Sequence, residues 1–525
     1  MDNKLKRWLE VAIQTFEAAG CAPLYLVGGF VRDTLLGRAS DDIDLAVPGT
    51  APQVIAASQR FTDVINRAQS GWRASFLILD PENGMARVVF QQNKQLLYFD
   101  FAAFGQATSI EADLARRDFT VNALAVPLAA FLANNGQIQT QDIIDISGGL
   151  NDLQNSTVQV VSAQNLIDDP LRLLRGVRLK AQLSSAARVW QIEPHTLALF
   201  TQYAQLVTRP APERTREELN KLLLAGDIER NLRLLDQTGI LTRLLPELEA
   251  AHGCVQMPGH YFDVFNHTLN SVDRVEWLTT PPDKLFGLGR ETVSQLDQPA
   301  TIVQFWPQIM ADLTATDQTK LLVLRWATLL HDIGKPSTKQ IDANGEIHFY
   351  EHNRVGAEIA RSILQRLRFS NIQVEQVGLM VQNHLRIGQL GENFNPHDYS
   401  GISDKATFRF LRDTAPVQSE MFLLSLADHA AVDGPRIVQP RGKYGWWRHL
   451  ILTDFFAHKL LGPEPERVVG KPRLLDGKTL MQELNLPPGP KIGYLLREIE
   501  EAQGGGEIFT TKEALSFAQK LLEQV

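Results

Sequence analysis

Residues 24–47, LYLVGGFVRDTLLGRASDDIDLAV, hold two short apolar runs separated by a segment of helical character. Gly28 and Gly29 end the first run. Glycines at a strand-to-helix turn let backbone N–H groups approach phosphate, and Arg32, one turn later, can reach the same anion. Asp42 and Asp44 are two apart on the second run, so both carboxylates project from one face and suit Mg²⁺ bound with substrate phosphates. The stretch predicts a strand–helix–strand unit that binds a nucleotide.

The first 145 residues as a whole alternate short β-rich runs with segments of helical character. The β-rich runs are residues 24–27, 43–47, 88–90, 96–101 and 121–126. From about residue 163 onward, leucines recur with helical spacing and few strand-like runs remain. The pattern predicts a multidomain protein, with an N-terminal α/β (α+β) domain built on a mixed sheet and mostly α-helical domains after it.

Three further motifs follow in order within the first 250 residues. They are RRDFTVNAL at 116–124, DDPLRLLRGVR at 168–178 and PERTREELNKLL at 212–223. Together with residues 24–47, they resemble the signature of the class II tRNA nucleotidyltransferase/poly(A) polymerase family, whose head is of the polymerase-β type. The family often has Glu where this chain has Asp168, which shortens the side chain and keeps its charge. The resemblance implies an enzyme that extends the 3′ end of an RNA.

Catalysis in this family depends on paired aspartates, and the residues that match them here are Asp42 and Asp44. The family's pair holds two metal ions, one activating the primer 3′-hydroxyl and one bridging the triphosphate, so the resemblance implies Mg²⁺ as cofactor. The nucleotide-binding positions that the motifs imply are Gly28, Gly29, Arg32, Arg117, Asp118 and Asn122. Arg117, Asp118 and Asn122 are expected near the phosphates or the ribose hydroxyls.

The motif at 168–178 is expected to select the incoming base, which family members read with protein side chains instead of a template. Asp169 and Arg172 are three apart on a predicted helix and share a face. A carboxylate accepts from an exocyclic amine and a guanidinium donates to ring N and O atoms, so the pair can imitate a Watson–Crick edge. Arg175 and Arg178 continue that face and are expected to hold phosphate or primer. A solvated helix face would also explain these arginines, but the motif match favours binding.

The segment before RRDFT is short. Only GQATSIEADLA, residues 105–115, separates Phe104 from Arg116. Family members that build a whole CCA end, and poly(A) polymerases, have a longer flexible segment here, which assists the switch from CTP to ATP. In its shortness, the segment resembles the corresponding segment of enzymes that add the two cytidines alone. We therefore expect CC addition from CTP, with a separate enzyme adding the terminal A. Complete CCA addition with CTP and ATP is the alternative.

A second group of candidate ligands lies towards the C-terminus, because 11 of the 12 histidines occur at or after residue 252. A His–Asp doublet within HDIGKP and distant His and Asp donors resemble the HD phosphohydrolase superfamily. The candidate metal ligands are His267, His331, Asp332, His352, His384 and Asp428. Imidazoles and carboxylates suit a divalent transition metal that activates water against phosphate esters, and Asp332 would bridge or bind it. The resemblance implies a hydrolytic site, although a surviving scaffold without activity remains open.

Residues 435–450, PRIVQPRGKYGWWRHL, combine basic and aromatic side chains and contain no acid. Basic residues interleaved with aromatics can neutralise phosphates and stack on bases. The candidate RNA contacts are Arg436, Arg441, Lys443 and Arg448. Packing of the tryptophans against the preceding helical domain explains the segment equally well. The family's body and tail grip the acceptor arm and elbow of tRNA, which makes tRNA the expected partner.

Length, charge and composition limit which partners and which locations the chain can be expected to have. The chain has 525 residues and a net charge of −8, which by itself predicts no polyanionic partner, whereas residues 168–180 and 435–450 are locally basic. Its two cysteines, the mixed charges of its N-terminus and its short apolar runs predict a soluble, cytoplasmic protein without disulfides or a membrane span.

The motifs divide the chain into four expected parts. These are a nucleotidyltransferase head at 1–145, a helical neck and body at 146–250, an all-α HD domain at 251–450 with a surface insertion near 287–305, and a helical tail at 451–525. Three rivals to CC addition remain: complete CCA addition, poly(A) polymerase, and a phosphohydrolase whose head only binds RNA.

Overall fold

A computed structural model describes residues 3–67, 71–93, 95–105, 107–279, 302–315, 318–463 and 467–523, without the side chains of 3, 302–304, 438 and 440–443. The chain forms two compact units. One comprises Met1–Ala211 with Leu234–Arg243, and the other Pro212–Arg233 with Leu244–Val525.

The first unit is built on a mixed seven-stranded sheet, which confirms the predicted fold class of the head. Its strands are β1 (Tyr25–Val27), β2 (Asp42–Val47), β3 (Arg73–Asp80), β4 (Met85–Gln92), β5 (Gln95–Ala103), β6 (Leu124–Pro127) and β7 (Ile144–Asp145). The strand order is β3-β4-β5-β2-β1-β6-β7, with β2 and β5 parallel and the other neighbours antiparallel.

Alternation along β2 and β5 separates the core from the site. Ile43, Leu45, Phe99 and Phe101 are buried, and Phe99 and Phe101 pack with Phe61 at ring-centroid distances of 5.8 and 5.5 Å. Successive strand residues point to opposite faces, so the acidic residues that alternate with this apolar set lie on the other face of the sheet. Burial of the apolar side chains stabilises the sheet by roughly 1.5–3 kcal/mol for each, and it fixes the direction in which the carboxylates point.

The remaining elements of the first unit are mostly helices. They are Asn3–Ala18, Gly28–Leu35, Ala51–Arg67, Ile110–Leu114, Leu128–Ala133, Gly149–Asn155, Ala163–Asp168, Leu171–Leu183 and Pro194–Tyr203. A two-stranded parallel pair, Thr157–Val158 with Gln191–Ile192, precedes the last of them. Helices Ile228–Gln237 and Ile240–Leu244 cross the boundary between the two units.

The β-rich runs in the sequence did not indicate β3. This strand lies at the edge of the sheet, and Leu77, Ile78 and Leu79 are each about half exposed. Consecutive exposed apolar residues carry no alternation, which explains why the pattern missed it. The expected run 121–126 is shorter in the structure, because residues Thr120–Asn122 form a 3-10 turn before β6.

The second unit is almost entirely helical, as the sequence predicts. Its helices are Pro212–Leu223, Val264–Leu278, Ile302–Leu313, Thr319–Leu330, Lys335–Thr338, His352–Arg366, Asn371–Asn383, Arg386–Leu390, Asp404–Asp413, Gln418–Val432, Pro440–Leu461, Gly477–Glu483, Pro490–Gly504 and Thr511–Glu523. A hairpin of Lys339–Ile341 and Ile347–Phe349 interrupts them.

The surface insertion expected near 287–305 lies largely outside the described residues, apart from the start of helix Ile302–Leu313, and stays a prediction. The expected division of the chain into four parts also stays a prediction. Among the described residues, no helix is long and apolar enough to cross a membrane, and both cysteines are free and buried.

Candidate functional sites

The Gly28–Gly29 turn lies directly against the catalytic carboxylate that the sequence predicts. The Gly29 N–H donates to Asp44 Oδ2 at 3.1 Å. A Cβ on Gly28 would approach Asp44 Oδ2 to 3.1 Å and Arg117 Nη1 to 3.2 Å, and the residue has φ +65°. Only glycine meets both demands without strain. The turn therefore orients Asp44 and brings Arg117 beside it.

A third acidic residue, which the sequence analysis missed, faces Asp44. Asp100 on β5 is paired directly with Asp44 on β2 in the parallel ladder. Arg87 on β4 donates two hydrogen bonds of 2.7 Å to the Asp100 carboxylate. A carboxylate within YFDFA was the available signal, because it interrupts a run that is otherwise apolar.

The electrostatics of these carboxylates fit a bound cation. Burial and the nearby Asp100 charge raise the pKa of Asp44 to about 6, while Arg117 opposes the shift. Clustered carboxylates in a partly buried site are unfavourable without a counter-ion, and hard oxygen donors suit Mg²⁺. Asp42 is exposed at the start of β2, on the same face as Asp44.

A chain of hydrogen bonds joins the helix after the glycine turn to the RRDFT motif. Arg32 Nη1 donates to Asn122 Oδ1 at 2.6 Å, and Asn122 Nδ2 donates to Asp118 Oδ1 at 3.1 Å. Arg175 Nη1 lies 3.4 Å from Asp118 Oδ2. Arg32 also forms two hydrogen bonds to Asp33. The structure thus brings together four of the predicted nucleotide-binding residues and connects them by their side chains.

Asp118 is the acidic centre of this network. Although burial favours its protonated form, Arg175, the Asn122 amide and the Phe119 N–H lower the pKa of Asp118 below its ordinary value. Arg117 is held on the other side by Asp113, which accepts from Nε and Nη2 at 3.1 and 3.0 Å. Hydrogen bonds to Asp113 and Asp118 therefore hold Arg117 and Arg175 in place for an anionic ligand.

The predicted base-selecting residues lie where helix Ala163–Asp168 meets helix Leu171–Leu183. Arg172 lies in the first turn of the second helix, but Asp169 lies just before that helix, so the prediction that the two residues share a helix face is wrong. Asp169 instead has a non-helical backbone at the end of the first helix. Arg172 donates to the carbonyl oxygens of Asn165 and Arg116 at 3.1 and 3.0 Å. Arg178, further along the helix, donates to Gln182 Oε1 at 2.6 Å.

A cavity of about 380 Å³ brings the cationic residues of the head together. Its lining includes Arg116, Arg117, Asp118, Arg172, Arg175, Asp113, Phe104 and Gly105. The short segment after β5 forms part of its wall. Asp42, Asp44 and Asp169 are not among the lining residues. The cavity can accommodate an anionic ligand beside the motif arginines.

The six predicted ligands of the second unit converge, although they are far apart in sequence. Asp332 lies at their centre and is 1% exposed. Its Oδ2 lies 3.2 Å from His331 Nε2 and 3.5 Å from His267 Nε2. Its Oδ1 lies 3.6 Å from both His352 Nε2 and His384 Nε2. Two groups of three donors therefore share Asp332, each with ligand atoms within 4.8 Å of one another.

Asp428 completes the first of these groups. Its Oδ1 lies 3.0 Å from His267 Nε2 and 3.6 Å from His331 Nε2. The neighbouring histidines lower the pKa of Asp428 well below its ordinary value, against the opposing effect of burial. The carboxylate is ionised and available as an oxygen ligand.

Backbone carbonyls orient three of the imidazoles. The Nδ1 atoms of His331, His352 and His384 lie 2.8, 2.7 and 2.6 Å from the carbonyl oxygens of Thr328, Phe349 and Val381, each three residues earlier. A carbonyl can only accept, so Nδ1 carries a proton in each of these rings, and Nε2 is the atom turned towards Asp332. Burial lowers the pKa of His352 to about 4, which keeps that ring neutral.

These atoms fit a metal. Among the described residues, His352 Nε2, His384 Nε2 and Asp332 Oδ1 are buried and have no hydrogen-bond partner. Unpaired buried acceptors are costly unless a ligand satisfies them. Lys335 was not predicted as a site residue. It is buried, and its Nζ lies 2.6 Å from Asp332 Oδ2 and donates to Gln256 Oε1. The Lys of HDIGKP was its available signal.

The basic segment 435–450 is partly engaged in packing. Trp446 and Trp447 are buried, and Tyr444 is exposed. Arg448 donates to the carbonyls of residues 391, 392 and 394. Arg436 donates to the Gly259 carbonyl and lies over the Tyr261 ring. The side chains of Arg441 and Lys443 lie outside the described part of the structure, and RNA binding by the segment stays a prediction.

Family comparisons agree with these two sites. Residues 24–159 match the poly A polymerase head domain, residues 190–252 match a probable RNA and SrmB-binding site of polymerase A, and residues 303–431 match the HD domain. Fold and site together define a nucleotidyltransferase with a polymerase-type head and an HD domain.

Full-length relatives narrow this class. An A-adding tRNA nucleotidyltransferase of Deinococcus radiodurans is 32% identical over 505 residues, which cover 95% of this chain and 95% of the relative. A CC-adding tRNA nucleotidyltransferase of Thermus thermophilus is 31% identical over 504 residues, which cover 94% of this chain and 92% of the relative. The chain belongs to the tRNA nucleotidyltransferase family, as the motifs predict.

A solved structure shows the same fold. The Thermotoga maritima CCA-adding enzyme, in complex with a tRNA, has a TM-score of 0.56 at 19% identity and covers 99% of this chain and 96% of its own. At this identity, the likeness concerns the fold alone.

Proposed function

We propose that this tRNA nucleotidyltransferase transfers cytidylate from CTP to the 3′ end of tRNA and stops after two additions. The observation that carries the proposal is the short connection between β5, which ends at Ala103, and the helix that begins at Ile110. In complete CCA-adding members, a longer flexible segment at this position assists the switch from CTP to ATP.

The described part of this connection is anchored at both ends. Phe104, Ile110 and Leu114 are buried in one apolar cluster with Val27 and Ala123. Ser109 caps the helix by accepting from the Ala112 N–H at 3.3 Å. A connection that is short and packed at its ends has little freedom to rearrange around a second base. A single base preference follows from that constraint.

The carboxylates of the head would hold Mg²⁺ through Asp42 and Asp44. When bound, Mg²⁺ supplies neutralisation of the triphosphate charge and activation of the primer hydroxyl. The chain's own residues do the rest: Arg117, held by Asp113, faces the triphosphate, and Asp169 with Arg172 presents acceptor and donor groups to the base edge. The Gly29 N–H keeps Asp44 in position throughout.

Three other products are compatible with the family: a single A, a complete CCA end, or a long A tail. The names of the relatives do not choose among them, because an A-adding and a CC-adding enzyme match at nearly equal identity. The test uses three tRNA transcripts that end before the CCA, after the first C and after the second C, each with labelled CTP, ATP or both.

We expect extension of the first two transcripts to the second C and no extension of the third. Incorporation of AMP into the third transcript would contradict CC addition, and a long A tail would identify a poly(A) polymerase. Asp44→Asn serves as the inactive control, and Asp263→Asn, a helix cap in the second unit, as a control for substitution of an unrelated aspartate.

We also propose a second activity, hydrolysis of a phosphate ester at the cluster around Asp332. The supporting observation is the convergence of four imidazole Nε2 atoms on one buried carboxylate. These residues would hold divalent transition metals, with Asp332 shared between two ions. When bound, such metals supply an activated water for attack on phosphorus. Lys335 sits beside Asp332 and keeps that carboxylate oriented.

A pair of variants separates the two activities. Asp44→Asn is expected to abolish nucleotide transfer and to retain hydrolysis of a 2′,3′-cyclic phosphate. Asp332→Asn is expected to do the reverse. Loss of both activities in either variant, with the protein still folded by circular dichroism, would contradict two independent sites.

The four-part division and the RNA contacts belong to the same proposal. The head at 1–145 would bind nucleotide, residues 146–250 would select the base, 251–450 would carry the HD centre, and 451–525 would form the tail. Arg436 and Arg448, with Arg441 and Lys443, are the proposed RNA contacts. A role in tRNA processing favours a cytoplasmic location.

A further inference from the structure

Asn165 ties together the segments that hold the proposed base-selecting residues and the RRDFT motif. Its side chain is 5% exposed and points towards residues 115–117. Asn165 Nδ2 donates to the carbonyl oxygens of Ala115 at 3.0 Å and Arg117 at 2.7 Å. A side-chain amide has two N–H donors, and both are used. The amide therefore fixes its own backbone position relative to Arg117.

The backbone carbonyl oxygen of Asn165 accepts a hydrogen bond from each of the two proposed base-selecting residues. Asn165 O accepts from the Asp169 N–H at 3.3 Å and from Arg172 Nη1 at 3.1 Å. Arg172 Nη2 donates to the Arg116 carbonyl at 3.0 Å, so the guanidinium spans two segments that the Asn165 side chain connects. The position of the guanidinium thus depends on a carbonyl that the amide holds in place.

Arg172 also retains donor capacity for a ligand. Its Nε is buried and has no hydrogen-bond partner among the described residues. Burial lowers the pKa of Arg172, and the charge of Asp118 opposes that shift. A buried donor without a partner is costly, and binding of an acceptor relieves the cost. Two carbonyls hold the arginine directly, and the Asn165 amide holds one of those carbonyls in place.

We propose that Asn165 is a positioning residue for base selection, an inference that rests on the proposed transfer of cytidylate. Cytosine presents an amine at the position where uracil presents a carbonyl oxygen, and the adjacent ring nitrogen changes from acceptor to donor. A carboxylate and a guanidinium distinguish the two bases only when their spacing is fixed. The Asn165 amide fixes the distance between the two groups, because it holds the backbone to which Arg172 bonds at a set position relative to Arg117.

The test substitutes Asn165→Leu, which keeps the volume and removes both donors. We expect the KM for CTP to rise and the preference for CTP over UTP to fall about tenfold, as the loss of two buried hydrogen bonds predicts. The value of kcat should change less, because the carboxylates that bind Mg²⁺ do not contact Asn165. Gln164→Leu is the matched control: Gln164 is a neighbouring amide on the same helix whose bond to Asp168 is exposed.

A folded Asn165→Leu protein with an unchanged CTP-to-UTP preference would overturn the proposal, even if its activity fell. Should this variant not fold, Asn165→Ser, which keeps one donor, is expected to show an intermediate loss of preference, and a wild-type preference there would also overturn it.

Equilibrium binding of CTP, UTP and ATP with Mg²⁺, without tRNA, separates this inference from the proposed function. A wild-type protein that prefers ATP would refute CC addition, whereas the inference would still require Asn165→Leu to weaken that preference. If the wild-type protein discriminates among the nucleotides neither in binding nor in transfer, selection by these residues is refuted as well.

Discussion

Asp44 on β2 stands directly opposite Asp100 on β5 in the parallel ladder at the centre of the head sheet. Buried Phe99 and Phe101 flank Asp100 in sequence and point to the opposite face, so the Asp100 side chain projects from the same face as Asp44. Its charge contributes to a pKa of about 6 for Asp44, after the larger effect of burial. Two facing carboxylates of this kind are the electrostatic basis for a cation site.

The first prediction concerns Asp100→Asn. The Mg²⁺ concentration for half-maximal nucleotide transfer should rise about tenfold at pH 8, because an oxygen donor and a negative charge are lost near the cation. In the wild-type protein, the same concentration should rise as the pH falls through about 6, because protonation of Asp44 competes with the metal. Glu82→Gln, in an exposed turn, is the control. An unchanged Mg²⁺ requirement would contradict a role of Asp100 in cation binding and would show that its carboxylate serves only to bond with Arg87.

The second prediction concerns Asn122→Ala. This change removes the side chain that accepts from Arg32 and donates to Asp118, so both ends of that network lose a partner. The KM for CTP should rise about tenfold, with a smaller change in kcat, because hydrogen bonds to charged groups contribute more than neutral ones. Steady-state kinetics measure the split. Asn155→Ala removes an exposed amide of the same unit and should behave like the wild type.

The third prediction concerns metal content after purification from medium with added Zn²⁺ or Mn²⁺ and dialysis. Elemental analysis should find two ions bound to the HD cluster, because two donor groups share Asp332. His384→Ala should lose about one ion, and Asp332→Ala should lose both, since bound metal needs several donors. His397→Ala, an exposed histidine in the same unit, should lose none. Equal metal content in His384→Ala and the wild type would refute the shared site.

The fourth prediction concerns stability and pH at Glu420. This side chain is 1% exposed and, among the described residues, no other residue bonds to its oxygens. Burial raises the pKa of Glu420 to about 7. The folded state therefore binds a proton that the unfolded state releases, so stability falls as the pH rises from about 4.5 to 7.

Glu420→Gln removes that titration. Relative to the wild type, it should raise the free energy of unfolding by on the order of 2 kcal/mol at pH 8 and change it little at pH 4. Denaturant titrations at the two pH values measure the difference, with exposed Glu483→Gln as control. A gain of equal size at both pH values would show that ionisation of Glu420 is not its cause.

Much of the head site follows from local sequence. The glycine turn, the aspartates two apart and the arginines three apart lie in segments whose geometry short-range spacing determines. Asp100 and Asn165 could not be assigned in the same way, because their roles depend on partners contributed by other strands and helices. Strand β3 was not predicted, because its apolar residues are exposed at the edge of the sheet and do not alternate with polar ones.

The HD cluster shows the same limit. Its six residues could be named from their types and order, together with the HDIGKP string. The sequence could not predict that two donor groups share Asp332, because this depends on how distant helices pack together. His267 and Asp428, for example, are 161 residues apart in sequence. Nor could the sequence indicate that backbone carbonyls three residues earlier hold the proton on Nδ1 and leave Nε2 as the ligand.

The sequence by itself identified a nucleotidyltransferase with a mixed-sheet head and a histidine–aspartate centre through the resemblance of its ordered motifs to known families. The spacing of Asp42 and Asp44 along one strand also predicted that their carboxylates share a face. Tertiary structure alone decided that Asp100 faces Asp44, that Asn165 holds Arg172 relative to Arg117, and that Asp332 lies among four imidazoles. The physical reason is that hydrogen bonds and charge interactions act over a few ångströms in space, and only packing of the core brings distant segments within that range.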